Sequence, residues 1–208
     1  MIVIVDYGMG NLGSVVNAFM KLKVPVLATS DVNEISRAER IVLPGVGFFA
    51  KGMENLRALG LIDTLNKKAL EEKVPFLGIC LGMQLLTSFS EEGNAEGLGW
   101  INAKTVRFNF SDGAGLRIPH VGWNKIAKKE DPLLLSGIAE DNRFYFTHSY
   151  HVAPKDENIL AFSFYGYDFA SVIQSGNIFG VQFHPETSHK DGLLLLKNFA
   201  EIGSYVAN

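Results

Sequence analysis

Residues 75–86, with the sequence PFLGICLGMQLL, restrict the possible folds more than any other part of the chain. An apolar run is followed there by the turn pattern Gly-x-Cys-x-Gly and then by a helix-like segment. The backbone at the apex of such a turn is strained and crowded, so it needs small residues on either side, as Gly78 and Gly82 are. The pattern predicts a strand, a tight turn and a helix, with Cys80 at the apex.

Cys80 is the only cysteine of the chain, and its position allows two interpretations. The first N–H groups of the following helix would favour a thiolate and could later hold an oxyanion, as a nucleophile requires. Alternatively, Cys80 is a structural thiol packed into a tight turn. The turn alone does not decide between the two.

The first part of the chain alternates short apolar runs with helical patterns. The run Ile2-Val3-Ile4-Val5 has the continuous apolar character of a strand that is covered on both faces in a parallel sheet. Further strands are expected at Val26-Leu27-Ala28 and at Ile41-Val42-Leu43. A helix through Met20 follows the first run, and leucines at helical spacing occupy residues 56–70. This order predicts an α/β fold with a doubly wound, mostly parallel central sheet.

After Gly93 the pattern changes to short aromatic runs separated by Gly, Asn, Asp and Pro. The runs cover residues 104–108, 142–146, 159–164 and 171–174. They predict antiparallel strands that extend the same sheet. A last helix is predicted from Asp191 to about Tyr205. No repeat or linker interrupts the pattern, so we expect a single domain over residues 1–208.

Composition excludes several classes of function. The content of 47% hydrophobic and 20% charged residues is typical of a globular protein. A net charge of −3 does not provide the basic surface that nucleic acids require. No apolar run approaches the roughly 20 residues that cross a bilayer, and no secretory signal follows Met1. One cysteine cannot form an internal disulfide, which fits a reducing cytosol. Together, these features predict a cytoplasmic protein without nucleic-acid or membrane partners.

Residues 8–13, Gly8-Met9-Gly10-Asn11-Leu12-Gly13, match the dinucleotide-binding pattern G-x-G-x-x-G. Asp31 follows near the end of the second strand, where a ribose-binding acid would stand. The alternative is a glycine-rich turn that allows a helix and a strand to pack closely. Because no second mononucleotide half follows, the packing interpretation is favoured.

A further candidate for chemistry is Gln182-Phe183-His184-Pro185-Glu186. Pro185 cannot donate to a β-ladder, so we expect a strand to end at His184. The spacing of two predicts that His184 and Glu186 lie on the same side. The acid could then bond one imidazole nitrogen and leave the other to take a thiol proton. Alone, the pair would be a surface histidine beside a glutamate; with Cys80, it completes the set that a thiolate nucleophile needs.

Together with Pro44-Gly45-Val46-Gly47, these motifs resemble the class I glutamine amidotransferase family over essentially the whole chain, with no room for a fused synthase. The resemblance implies that Cys80 attacks the side-chain amide of L-glutamine. His184 would act as base and then as acid, and Glu186 would orient the imidazolium. The resulting glutamyl thioester would be hydrolysed to glutamate.

The same resemblance implies how the substrate is held. The N–H of Leu81 would be one oxyanion donor, and a second would come from Val46, because Gly45 and Gly47 allow its peptide to flip. We hypothesise that this peptide points away at rest. Contacts with glutamine would come from Gln84, Ser149 and Tyr150. Neither a cofactor nor a metal is implied, and His148, His151 and His189 receive no catalytic role.

Tyr7-Gly8-Met9-Gly10-Asn11-Leu12 and Pro119-His120-Val121-Gly122-Trp123-Asn124 resemble one branch of the family, the glutaminase subunits of imidazole glycerol phosphate synthase. That branch implies a heterodimer with a (β/α)8-barrel cyclase, which uses the ammonia in histidine biosynthesis. Asn11 and Trp123 would lie at the interface. A lysine usually follows His-Pro-Glu in the branch, whereas Thr187 stands here. A glutaminase that serves a surface-sugar-modifying amidotransferase is therefore the alternative.

Overall fold

The computed structural model describes residues 1–110 and 115–203. In these residues the strands are β1 (Ile2–Val5), β2 (Val26–Thr29), β3 (Arg40–Leu43), β4 (Phe76–Ile79), β5 (Thr87–Ser90), β6 (Ala95–Glu96), β7 (Ile101–Arg107), β8 (His120–Asn124), β9 (Ala127–Lys128), β10 (Phe144–His148), β11 (Tyr150–Ala153), β12 (Ile159–Tyr165), β13 (Tyr167–Ser175) and β14 (Ile178–Val181). The helices are α1 (Leu12–Lys21), α2 (Val32–Ser36), α3 (Phe49–Ala58), α4 (Ile62–Asn66), α5 (Leu81–Leu85) and α6 (His189–Glu201). A π-helical turn, Lys67–Glu71, continues α4.

An eight-stranded sheet forms the centre of the described fold, in the order β2-β1-β3-β4-β14-β13-β12-β9. Strands β2, β1, β3, β4 and β14 pair in parallel, and the remaining pairs are antiparallel. Successive side chains of a strand point to opposite faces, so β1 contributes Ile2 and Ile4 to one hydrophobic cluster and Val3 and Val5 to another. The predicted α/β fold, a mostly parallel sheet extended by antiparallel strands, is confirmed.

Not every strand of the second half extends this sheet, and the prediction was wrong in that respect. Strands β6, β5, β7 and β11 form a separate four-stranded sheet, and β8 pairs with β10 alone. The predicted runs of residues 104–108 and 142–146 fall in these smaller sheets where they overlap β7 and β10, at residues 104–107 and 144–146. The burial of β7 gives the physical reason for this separate sheet. Buried and exposed residues alternate along β7, because only one of its faces is covered. The central strands β1 and β4 are buried at every position.

The last helix also differs from the prediction, which placed it from Asp191 to about Tyr205. Helix α6 begins at His189 and ends at Glu201, because Ile202 adopts an extended conformation and is buried in the core. Tyr205 lies outside the described residues. None of the helices in residues 1–110 and 115–203 has the length and apolarity that a membrane crossing requires.

Parallel pairing places the carboxyl ends of β1, β3, β4 and β14 side by side at one edge of the sheet. The loops that leave these ends contain residues 6–11, residues 44–48, Cys80 and residues 182–186. Sites in parallel α/β sheets form at this edge, because loops from different strands meet there.

Candidate active site

Cys80 lies between β4 and α5 in the strained conformation that the glycine pattern predicted. Its φ of 53° and ψ of −108° are rare for a residue with a side chain, and only 5% of its surface is exposed. A β-carbon at Gly78 would lie 2.7 Å from the backbone of Gly82, and one at Gly82 would lie 1.8 Å from the carbonyl oxygen of Leu43. The two glycines therefore permit the close backbone packing that this turn requires.

His184 and Glu186 form a buried pair, although β14 does not extend to them. The strand ends at Val181, and the expectation that it ends at His184 was wrong. Pro185 instead begins a 3-10 turn, Pro185–Thr187, which brings the carboxylate back towards the imidazole. Nδ1 of His184 lies 2.8 Å from Oε1 of Glu186. Since a carboxylate accepts, Nδ1 carries the proton, and Nε2 remains available for another group.

The sulfur of Cys80 and the imidazole of His184 are neighbours. Nε2 of His184 is buried and has no hydrogen bond of ordinary geometry among the described residues. Burial lowers the pKa of His184, but the charge of Cys80, a hydrogen-bond contribution from its sulfur and the Glu186 carboxylate outweigh burial and raise it to about 10. The contact from sulfur to Nε2 is therefore looser than a standard hydrogen bond, as catalytic contacts often are without substrate.

The loop of residues 44–47 lies directly against the elbow. The N–H of Leu81 donates to the carbonyl oxygen of Gly45 at 3.3 Å. A β-carbon at Gly45 would lie 2.3 Å from the hydroxyl of Tyr7 and 3.2 Å from the nitrogen of Gly82. In this conformation the carbonyl oxygen of the Gly45–Val46 peptide accepts the hydrogen bond of the N–H that follows Cys80, so this N–H is not free for a substrate. The close packing leaves room only for glycine at position 45.

A cleft of about 250 Å³ opens beside Cys80. It brings together all but one of the residues predicted to bind substrate or oxyanion, and Gly45 lies behind it. The lining residues are Val46, Gly47, Cys80, Leu81, Gln84, Glu92, Pro119, Thr147, His148, Ser149 and Tyr150. The cleft is large enough for a small amino acid, and Cys80 forms part of its wall.

Two residues of this region received no role from the sequence. Glu92 is half-buried in the cleft wall, and one of its oxygens accepts from the N–H of Phe49 at 2.8 Å. Burial raises the pKa of Glu92, while the Phe49 N–H opposes that rise. Gln182 is fully buried next to Cys80. Glu92 follows another glutamate in a turn, where a surface role is the natural expectation, and no residue pattern marks it.

The two predicted interface residues, Asn11 and Trp123, lie near the site and make different contacts within the chain. Asn11 caps α1, because its Oδ1 accepts from the N–H of Ser14 at 3.2 Å. It also lines a second cavity of about 170 Å³, shared with His184 and Glu186 on the other side of Gly45. Trp123 is 44% exposed, and its ring stacks on His189 with centroids 5.1 Å apart. Both side chains are accessible to a partner.

The glycine-rich loop of residues 8–13 serves packing and helix capping in the structure. A β-carbon at Gly10 would lie 3.2 Å from the α-carbon of Gly45, so this glycine allows the two loops to touch. Asp31, the candidate ribose-binding acid, caps α2 by accepting from the N–H of Asn33 at 2.7 Å. Within residues 1–110 and 115–203, no group of three or more potential ligands is arranged to hold a metal.

Two buried histidines, His148 in the cleft wall and His120 next to it, form a hydrogen-bond chain. Because the carbonyl of Tyr150 can only accept, Nδ1 of His148 donates to it at 2.8 Å, and Nε2 of His148 accepts from Nδ1 of His120 at 3.0 Å. Burial lowers the pKa of His120 to about 4. Burial is also the main cause that lowers the pKa of His148, to about 3. Both imidazoles are therefore neutral at pH 7.

We expect this pair to make the fold sensitive to acid. Below about pH 6.5 the unfolded chain takes up protons at these histidines that the folded chain does not, so stability falls as the pH falls. For the deeply buried His148 the loss is up to about 1.4 kcal/mol per pH unit. Urea unfolding at pH 7 and pH 5 measures it. His148→Phe should reduce the difference; an equal difference in this variant and in the unsubstituted protein would contradict the assignment.

The class of protein follows from comparison with known sequences. The sequence profile described as "Glutamine amidotransferase class-I" matches residues 3–202, and the chain belongs to this family. It is 52% identical to the imidazole glycerol phosphate synthase subunit HisH 2 of Methanococcus maripaludis, over 96% of this chain and 98% of that protein. It is 45% identical to the subunit HisH 2 of Pseudomonas aeruginosa, over 97% and 100% of the two chains.

A solved structure supports the same fold. A glutamine amidotransferase from Thermotoga maritima superimposes with a TM-score of 0.68 at 17% identity, over 97% of this chain and 98% of that one. At this identity the likeness concerns the fold alone.

Proposed function

We propose that this chain is the glutaminase subunit of an imidazole glycerol phosphate synthase. It hydrolyses L-glutamine to glutamate and passes the ammonia to a (β/α)8-barrel cyclase subunit, in a cytoplasmic heterodimer that serves histidine biosynthesis. Residues 1–208 act as one glutamine amidotransferase domain. The observation that carries the proposal is the strained Cys80 in the wall of a cleft, beside the His184–Glu186 pair. Relatives of matching length that are named as this subunit support the pathway.

The site residues account for both halves of the reaction. Nε2 of His184 takes the proton of Cys80, and the sulfur attacks the side-chain amide carbon of glutamine. The imidazolium, stabilised by Glu186, then gives that proton to the amide nitrogen, and the C–N bond breaks with release of ammonia. A water molecule, deprotonated by the same nitrogen, attacks the glutamyl thioester. Glutamate leaves and the thiol is restored.

The oxyanion of each step needs donors that the present loop conformation does not offer. The N–H of Leu81 is already bonded to Gly45. A flip of the Gly45–Val46 peptide would free this N–H and turn the Val46 N–H towards the reacting oxygen, and Gly45 and Gly47 make such a flip accessible. The chain is therefore a latent glutaminase, and the cyclase, with its ribotide ligand, is the component that favours the flipped peptide.

Glutaminase activity with and without the cyclase and its ribotide ligand tests this proposal. One missing oxyanion donor costs roughly 10²- to 10³-fold in rate, so we expect stimulation of at least about 100-fold. The stimulation should appear mainly in kcat, because the cleft for glutamine is already formed. Full activity of the isolated chain would contradict the gate, and no glutaminase activity in any combination would contradict the function.

Thr187 supports one alternative partner. Its hydroxyl donates to the carbonyl of His184 at 3.1 Å, and the exposed position carries no positive charge for a cyclase to meet. The alternative is the same glutaminase chemistry serving a surface-sugar-modifying amidotransferase. Co-purification with the histidine-pathway cyclase, and activation by it, would favour the first proposal. Activation by a sugar amidotransferase alone would favour the second.

We propose that Glu92 binds the α-ammonium group of glutamine, because it is the acidic residue of the cleft lining. Glu92→Gln keeps the acceptor for Phe49 but removes the charge, and hydrogen bonds to charged groups contribute roughly 10- to 100-fold in affinity. We expect the KM for glutamine to rise by about that factor with a smaller change in kcat. The matched control is the exposed Glu91→Gln, which should leave both constants unchanged. An unchanged KM in Glu92→Gln would contradict this role.

A further inference from the structure

Gln182 connects the sulfur of Cys80 to a hydrogen-bond chain inside the protein. It follows β14 directly and has no exposed surface. Its Nε2 lies 3.7 Å from the sulfur, within hydrogen-bond distance for that atom, and its Oε1 accepts from Nε2 of Gln84 at 3.2 Å. The mechanism described above uses neither contact.

The orientation of the Gln182 amide is determined by the groups behind it. The carbonyl of Tyr150 can only accept, so Nε2 of Gln84 donates to it at 2.9 Å. The same nitrogen therefore faces the oxygen of Gln182, which leaves the nitrogen of Gln182 directed at the sulfur. Reversing the Gln182 amide would place two N–H groups against each other and a carbonyl oxygen against the sulfur. His148 fixes the Tyr150 carbonyl from a second direction.

The sulfur has two polar neighbours of opposite character besides His184. The carbonyl oxygen of Thr147 lies 3.9 Å away and can accept the proton of a thiol. The amide N–H of Gln182 can donate to a thiolate. A thiolate is repelled by the first group and attracted by the second, so deprotonation strengthens the contact with Gln182.

We propose that Gln182 is a catalytic residue of this site, a neutral donor that stabilises the Cys80 thiolate, and that the contacts through Gln84 hold its amide in the required orientation. The inference rests on the proposed function, in which Cys80 is the nucleophile.

The titratable groups around the sulfur do not replace this donor. The titratable neighbours are the His184 imidazole, whose Nδ1 is bonded to the Glu186 carboxylate, and Glu92, which lines the same cleft as Cys80. Tyr7 and His148 are buried and neutral, and burial, followed by the charge of Cys80, raises the pKa of Tyr7. Gln182 therefore adds a favourable contact that does not change with pH.

Alkylation of Cys80 by iodoacetamide across the pH range tests the inference on the full chain. The chain has a single cysteine, so the labelling rate reports on that thiolate alone. Gln182→Met keeps the length of the side chain without the donor. Loss of one hydrogen bond to a charged sulfur corresponds to roughly tenfold, so the alkylation midpoint should rise by about one pH unit. In the complex, kcat for glutamine should fall about tenfold and KM should change less than twofold.

Asn177 offers a matched control at the other end of the same strand. This buried amide precedes β14 and donates to the carbonyls of Ala69 and Val74 at 2.9 and 2.8 Å. Asn177→Leu should lower stability but leave the alkylation midpoint and kcat unchanged. His148→Phe, which removes one support of the Tyr150 carbonyl, should give a smaller shift than Gln182→Met in the same direction.

The possible outcomes separate this inference from the proposed function. An unchanged alkylation midpoint and kcat in Gln182→Met would overturn the role of Gln182 and leave the glutaminase proposal intact. Glutaminase activity retained in Cys80→Ala would overturn the proposed function, whatever the midpoints are. If Gln182→Met does not fold, the alkylation midpoint of Gln182→Glu decides, because glutamate keeps the shape of the glutamine side chain. A carboxylate beside the sulfur should raise the midpoint further, and a wild-type midpoint would refute the inference.

Discussion

Cys80→Ala should abolish glutamine-dependent synthesis in the complex with the cyclase, by roughly 10⁴-fold or more, while synthesis from added ammonia persists. The loss is large because the chain has no second cysteine to form the proposed thioester, and the remaining donors supply only a minor part of the acceleration. Product formation with glutamine or with an ammonium salt, measured on the same preparation, gives the two rates. The ammonia-dependent rate is the internal control for folding and assembly.

His184→Gln should have an effect of similar size, and the double variant with Cys80→Ala should be no worse than either single one. When residues act together in one reaction path, the rate losses of their substitutions do not multiply, because removing one member already removes that path. If the two single losses multiplied in the double variant, Cys80 and His184 would act independently. Loss of the ammonia-dependent rate as well, in a complex that still assembles, would contradict the division of labour between the subunits.

Gly82→Ala should have the largest effect on stability, although it adds only one methyl group. Its β-carbon would lie 1.8 Å from the carbonyl oxygen of Leu43 and 2.8 Å from the carbonyl carbon, and both atoms belong to the buried β3. A backbone at the centre of a sheet cannot move aside without disturbing its neighbours. We expect the free energy of unfolding in urea to fall by about 3 kcal/mol or more.

The matched control for this change is Gly13→Ala. Gly13 is the second residue of α1, as Gly82 is of α5, but a β-carbon there would lie at an ordinary 3.7 Å from Oδ1 of Asn11. Because alanine is the better helix former, this variant should be neutral or more stable by up to about 1 kcal/mol. Similar losses in both variants would show that helix position, and not contact with Leu43, determines the cost.

Local chemistry explains why the centre of the site could be predicted from the sequence. The strained backbone at Cys80 requires small neighbours, so the glycines two residues before and after it mark the turn in the sequence. Continuous burial of β1, of β4 and of the last three residues of β3 likewise leaves continuous apolar runs, from which a parallel sheet follows. The edge where their carboxyl ends meet then follows from topology alone.

Features that depend on distant residues could not be predicted in this way. Which strand pairs with β7 or β8 is decided by parts of the chain far away, and the alternation of burial within a strand does not specify the partner. Glu92 belongs to the cleft only because the turn after β5 folds back over α3, where Phe49 binds it. Gln182 faces the sulfur through a chain of amide contacts that no local pattern records.

In the proposed heterodimer, the hydrogen bond from Leu81 to Gly45 has a consequence for how tightly the two subunits bind each other. Coupling free energies are reciprocal, so a cyclase that favours the flipped peptide by some factor must itself be bound more tightly, by that factor, when a ligand fills the oxyanion position. A stable analogue of the tetrahedral adduct on Cys80 should therefore raise the affinity of the chain for the cyclase. The pair would hold together most firmly while ammonia is being formed and loosen once glutamate has left.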